Sequence, residues 1–301
     1  FCCCKLAAQS PDNKKIPAVS SQNFLLPVMR NNEKDFLIEG VSAVTSGEVV
    51  EIHRIRATLF PTTQRQHKIY VFAPFALYNI KDEKVSSDAQ LNVRIIPQPQ
   101  QNTKAKSSSS WQQIESITVN GKGFTFLFRP HVLTIRSAVH LVILRQTGSS
   151  SSATTPRRCD ITAETMVFRM DEGCIELFHN VQVDDIDPRT GDSYRLSCEK
   201  LTIQRDSALG TFEKILIQND IVFTCQWGRI TANSGEYLAA IQTLKFTGKP
   251  LVYQGKSTLS GAQTLIYRQR KNGNIFYTLG GRPVLTYIPQ VEEQKKNMNH
   301  P

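Results

Sequence analysis

No apolar run in these 301 residues approaches the ~18 to 20 residues that a membrane-spanning helix requires; the longest near-candidate, "AVHLVIL" at 138–144, contains a histidine. Helical periodicity is nearly absent as well, which removes bundles and doubly wound sheets from consideration. Six histidines and 26 carboxylates would be ample for an enzyme, yet there is no GxSxG, HExxH, P-loop or GxGxxG opening a helix. The lone "GKG" at 121–123 falls between strands. Cys159, Cys174, Cys198 and Cys225 lack CxxC spacing, which argues against a zinc site. Aromatics interleaved with Lys/Arg, the footprint of nucleic-acid binding, are also missing. A binding or structural protein without cofactor, rather than an enzyme, is the expectation.

Two further patterns fail on inspection. In "VDDIDPRTGDSY", Asp185, Asp187 and Gly191 resemble a calcium loop, but Gly is seventh instead of sixth and the twelfth position is Leu196. A hairpin bend at Pro188 and Gly191 fits better. A polysaccharide-cleaving β-helix needs a row of acids on successive units. Glu164 and Glu199 match, but the row is broken by Asn233 and Ala262.

Most of the net charge of +10 sits in the first half: residues 1–150 carry 18 Lys/Arg against 10 Asp/Glu, and residues 151–301 carry 18 against 16. Such a balance favours anionic partners. The start, "FCCCKLAAQS", has no initiating Met and stays open between the end of a signal or anchor segment, a lipidated terminus, and a disordered terminus without a role.

What is present is short β-branched runs such as "KILIQ", "DIVFTC" and "VLTIRS", bounded by Gly, Asn, Asp or Pro, which predict an all-β fold. They repeat. "ITAETMVFRMDEGCIELFHNVQVDD" from Ile161 is followed by related phrases beginning at Leu196, Ile230 and Leu259. Each has an aliphatic residue, Thr or Ser, a small residue (Ala163, Cys198, Ala232, Gly261), an alternating strand, a turn-like pair and another strand. The pairs are His179-Asn180, Asn219-Asp220, Gly248-Lys249 and Gly281-Arg282, and Gly121 and Ser137 extend the pattern backwards to about six units. A two-strand unit cannot bury its apolar face alone, so units must stack around a continuous interior. The expected fold is an elongated β-jelly roll or β-solenoid. Alternation places Ile161, Ala163, Ile175, Leu177, Val181, Val183, Ile215, Ile217, Ile221, Phe223, Leu244, Phe246, Ile275 and Tyr277 on the inner face. Cys198, in the small-residue slot, reads as a buried thiol.

Composition divides the chain into a terminus (1–21), a β unit (22–146), a Ser-rich linker (147–158), a second β unit (157–290) and a polar tail (291–301). "PQPQQNTKAKSSSS" at 97–110 reads as a long hairpin loop.

The phrases "ITAETMVF…IELFHNVQV", "NDIVF", "GKPLVY" and "LSGAQTLIY…GRPVL" resemble the OstA-like repeat of periplasmic lipopolysaccharide-transport proteins. Residues 157–290 are similar to the LptA type, and residues 22–146, with "FLIEGVSAVTSGEVVEIHRIRATLF", to the LptC type. The resemblance implies an open β-jelly roll whose inner-face residues shelter lipopolysaccharide acyl chains crossing the periplasm, with a possible inner-membrane anchor. It implies partners that join end to end by strand pairing, and an energy source on another protein. Arg54, Arg56, Arg129 and Arg136 would then be candidates for holding head-group phosphates. A structural solenoid that assembles through its open ends, without lipid, is the competing expectation.

Overall fold

The computed structural model describes residues 19–30, 33–61, 67–97, 114–145, 156–186, 191, 193–205, 212–238, 241, 243–270 and 273–287. Seventeen strands account for most of them, and no α-helix occurs among the described residues. The strands are β1 (Val19–Arg30), β2 (Glu33–Ser46), β3 (Val49–Leu59), β4 (His67–Asn79), β5 (Lys84–Pro97), β6 (Ile114–Phe128), β7 (His131–Arg145), β8 (Arg157–Ala163) and β9 (Thr165–Arg169). There follow β10 (Cys174–Ile186), β11 (Ser193–Arg205), β12 (Phe212–Cys225), β13 (Gly228–Leu238), β14 (Thr243–Thr247), β15 (Leu251–Gln254), β16 (Ser257–Arg270) and β17 (Gly273–Tyr287).

They form one antiparallel sheet in which strands adjacent in sequence pair in space, from β1–β2 through β6–β7 and from β10–β11 through β16–β17. The short β8 and β9 act as one interrupted strand between β7 and β10, and β14 and β15 as another between β13 and β16. Pairing therefore continues across the expected boundary between the two β units. β1 starts at Val19, inside the expected terminus 1–21, and β8 at Arg157, the first residue of the expected second β unit.

A row of irregularities crosses the sheet at mid-strand. Register shifts fall between Ser87 and Gln90, Asn120 and Lys122, Phe178 and Val181, Ser197 and Lys200, Gln218 and Ile221, and Ser260 and Ala262. The repeat's turn-like pairs lie on this row. His179 and Asn180, Asn219 and Asp220, and Gly248 and Lys249 all have positive φ, between 50° and 76°. That left-handed conformation is open to Gly and tolerated by Asn and Asp. The turn-like pairs are thus bends inside or between strand halves; the hairpins close elsewhere, as at 170–173 and 226–227.

The row divides each long strand into two halves whose inner faces meet. Phe36 stacks on Phe128 at 4.0 Å, Phe223 lies 5.8 Å from Phe246, and Trp227 lies 4.0 Å from Phe276, each pair joining opposite halves. One cluster of buried apolar residues runs from Phe36 to Tyr267. Each fully buried Leu, Ile or Phe contributes about 1.5–3 kcal/mol, and Ile52, Ile117, Leu133 and Phe246 are among those at 0 % exposure. The small-residue slots lie beside the bends, and Ala163, Cys198 and Ala232 are buried there.

The last repeat differs by one residue. Gly261, at φ 75°, is an insertion in β16, and Ala262 takes the buried slot. In β17 the left-handed pair is Gly280-Gly281, not Gly281-Arg282. A slip of one residue reverses the faces of a strand. Tyr277, expected inside, is accordingly exposed, and its neighbour Phe276 packs inward. The Ile275 side chain lies outside the described residues, as do the triple cysteine, Asp187, Pro188, the tail and nearly all of the 97–110 loop.

Candidate functional site

The interior between the two half-sheets is the natural place to look for a site, because every strand contributes to it. Of the residues expected to line it, Ile161, Ala163, Ile175, Leu177, Val181, Ile217, Ile221, Phe223, Leu244 and Phe246 are buried. Val183 and Ile215 are partly buried against the same cluster. Over this stretch the side chains fill the space between the halves and pack on one another.

The packing opens near the C-terminal end. There a cavity of about 440 Å³ is lined by Trp227, Val252, Gln254, Ser257, Leu259, Leu265, Phe276 and Leu285. Val252, Leu259 and Leu285 come from one half-sheet and Leu265 and Phe276 from the other. Trp227 reaches it from the β12–β13 turn. That turn requires Gly228, since a Cβ there would lie 2.2 Å from the Tyr253 carbonyl oxygen where β15 crosses close to β13. None of the cavity residues was among the inner-face residues expected from the sequence; Trp227 stands in a turn and has no alternation to mark it.

A row of aromatic rings leads away from the cavity. Phe276 lies 4.9 Å from Tyr267, Tyr267 lies 5.9 Å from Phe223, and Phe223 lies 6.1 Å from Tyr194. Burial pushes the Tyr267 hydroxyl well above the usual tyrosine range. The row ends at Arg157, whose guanidinium lies 5.9 Å from the Tyr194 ring.

Charged groups near the interior are few and mutually engaged. Arg145 and Arg157 both bind Asp185, with N–O distances of 2.7 Å. At the other end, His131 lies between the carboxylates of Asp171, 2.8 Å from Nδ1, and Asp35, 3.2 Å from Nε2, and so ties β7 to β2 and to the β9–β10 turn. Glu176, held by Lys200 first and Arg169 second, keeps its carboxyl below the usual range against the opposing effect of burial. Cys159, Cys174 and Cys198 are free thiols. Burial pushes Cys159 and Cys198 up to about 12, so neither is a nucleophile near neutral pH.

The arginines expected to hold phosphates lie on the outer surface. Arg56 faces Glu39 at 3.8 Å and the rings of Tyr70 and Phe72 at 5.6 and 5.5 Å. Arg129 binds Glu83, and Arg136 binds Asp88 and the Ser87 carbonyl. Arg54 is exposed, with φ 51°. The structure does not bring these four together. His179, at its bend, lies 3.6 Å from Glu199. Among the described residues no group of three His, Cys, Asp or Glu could hold a metal ion, and no helix is long and apolar enough to cross a membrane. Comparison with models of protein families and with curated protein sequences found no match to this chain.

Proposed function

We propose that this chain binds the acyl chains of an acylated glycolipid between the halves of its bent sheet and bridges their passage between membranes. The apolar cavity of about 440 Å³ at its C-terminal end carries the reading. It falls within the ~300–1,000 Å³ of small-molecule sites, and each methylene buried there stabilises the complex by about 0.8 kcal/mol. On this reading the sheet is an elongated β-jelly roll, and the ligand is lipopolysaccharide or a related glycolipid, as the resemblance to OstA-like proteins implies. The place of action is the periplasm, next to the inner membrane, and other transport proteins of the same kind join the strand edges. The task needs a continuous apolar surface and no bond-making step.

Organic extraction of purified protein followed by mass spectrometry tests this. A bound acylated glycolipid, displaced by added lipid with a change in Trp227 fluorescence, is the expected result; no bound lipid and no fluorescence response would exclude it. A second reading, a β-solenoid that assembles through its ends with a dry interior, is favoured by the dense packing around Ile52, Ile117 and Leu133, each at 0 % exposure.

A further inference from the structure

One patch of the sheet's outer face combines cations with aromatic rings. Tyr70 lies opposite Thr58 and Arg94, and Phe72 lies opposite Arg56 and Asn92. These side chains therefore share a face, with Ile69, Val71 and Val93 buried on the other. The Tyr70 and Phe72 rings are 6.3 Å apart and within 16° of parallel. The Arg56 guanidinium lies 5.6 and 5.5 Å from their centroids, and the Lys68 ammonium lies 5.1 Å from Tyr70 and 5.6 Å from Phe60. The adjoining carboxylate, Glu39, is 3.8 Å from Arg56. Among the described residues neither Lys68 nor Arg94 is ion-paired. Farther along the same row the charges are matched, Arg158 with Asp160 and Arg195 with Asp184. Beside Phe72, Asn92 donates from Nδ2 to Oδ1 of Asn120 at 2.7 Å. That bond leaves the Asn92 side-chain oxygen and the Asn120 amide N–H groups as neighbouring acceptor and donors at the surface.

We infer that this patch binds an acidic glycan, with sugar rings against Tyr70 and Phe72, hydroxyls on Asn92 and Asn120, and acidic groups on Lys68 and Arg94. The unmatched cations select an anion. The rings offer an apolar body to the C–H face of a sugar, and adjacent hydroxyls, each both donor and acceptor, match the paired amides. Single-stranded nucleic acid is served by a continuous cationic track, whereas here the row turns neutral past β5, at Thr118 and Val142. Insertion into a bilayer surface needs apolar side chains that stand clear of their neighbours, and Tyr70 is half-buried and Phe72 only 37 % exposed. The patch draws on β3, β4 and β5, so it is not continuous in the sequence. It faces away from the apolar interior, and the inference does not depend on the lipid reading.

Isothermal titration calorimetry of the whole chain compares oligogalacturonate, its neutral methyl ester, single-stranded oligodeoxythymidylate and phosphatidylglycerol vesicles. Oligogalacturonate is expected to bind more tightly than the other three, and less tightly as salt rises. Arg94→Gln removes an exposed charge that has no ion pair, and so should fold; circular dichroism and melting temperature verify that. It is expected to weaken oligogalacturonate about fivefold, flatten the salt dependence and leave the methyl ester unchanged. Phe72→Thr, which keeps a strand-forming residue on the face, should weaken oligogalacturonate about tenfold and the methyl ester with it. Absence of oligogalacturonate binding, or binding that neither variant changes, would overturn the site. Tighter binding of the oligodeoxythymidylate or of the vesicles would assign the face to that partner and overturn the glycan.

Discussion

Ile217 sits on the inner face of β12 at 2 % exposure, and its neighbour Val222, past the bend, is on the outer face and half-buried. A carboxylate at 217 would lie among aliphatic groups without a partner. Ile217→Asp is therefore expected to destabilise by on the order of 4 kcal/mol or more, and Val222→Asp by about 1, measured by urea unfolding. The buried thiols give a pH signature. Below ~8.5 a thiol is neutral in folded and unfolded chains alike; above it only the unfolded chain loses the proton, until pH reaches the folded value of about 12 for Cys159 and Cys198. Stability should fall by ~1.4 kcal/mol per pH unit for each thiol within that window. Cys198→Ala should show a shallower fall above pH ~8.5 than the unaltered chain, and equal slopes would refute the assignment. Alternation made most inner-face residues legible in the sequence. It failed at Tyr277 because the period of 2 says nothing about phase, and phase depends on where the bend lies. Gly280-Gly281-Arg282 offers two placements of the left-handed pair, and only pairing with β16 chooses between them.

At the scale of the strand, the bend is encoded by residues able to take positive φ. Asn219 and Asp220 do so at 61° and 50° in the middle of β12. A β-branched residue there meets its own backbone, so Asn219→Val should cost about 1–2 kcal/mol, and Asn219→Gly should be nearly neutral. Thermal melting compares the two, and equal losses would show that the bend is set by side-chain contacts instead. The same pair of conformations closes a two-residue hairpin, which is why the sequence suggested turns. What separates bend from hairpin is whether the two flanking strands pair with each other. Here they do not: Gln218 pairs with Lys200 and Ser234, and Ile221 with Ala232. That information is non-local. The cavity escaped the repeat pattern for a related reason, because it is assembled from β15, β16, β17 and the β12–β13 turn, which only the folded sheet brings together.

For the molecule as a whole, one meander with two free edges raises the question of what the edges do. Among the described residues β1 pairs only with β2 and β17 only with β16. Soluble proteins usually blunt such edges with charge, bulges or short strands. These edges are 12 and 15 residues long, and they expose Val19 at 63 % and Leu25 at 60 % on β1, and Val284 at 54 % and Tyr287 at 65 % on β17. Strand addition supplies main-chain hydrogen bonds from the edge and specificity from alternate side chains. The two edges differ, so pairing of β17 with β1 of another molecule would not close into a dimer but would extend into a chain, carrying the inter-half space onward. Pro27 and Pro283 cannot donate, which confines the contact on β17 to the segment from Val284. Sedimentation equilibrium should therefore show mass rising with concentration beyond the dimer. Val284→Lys with Tyr287→Lys should hold the chain monomeric while leaving its melting temperature within a few degrees, since both side chains face solvent. A photo-crosslinker at Thr286 should capture residues of β1. A chain that stays monomeric at every concentration, or crosslinks unchanged by the two lysines, would rule out assembly through this edge.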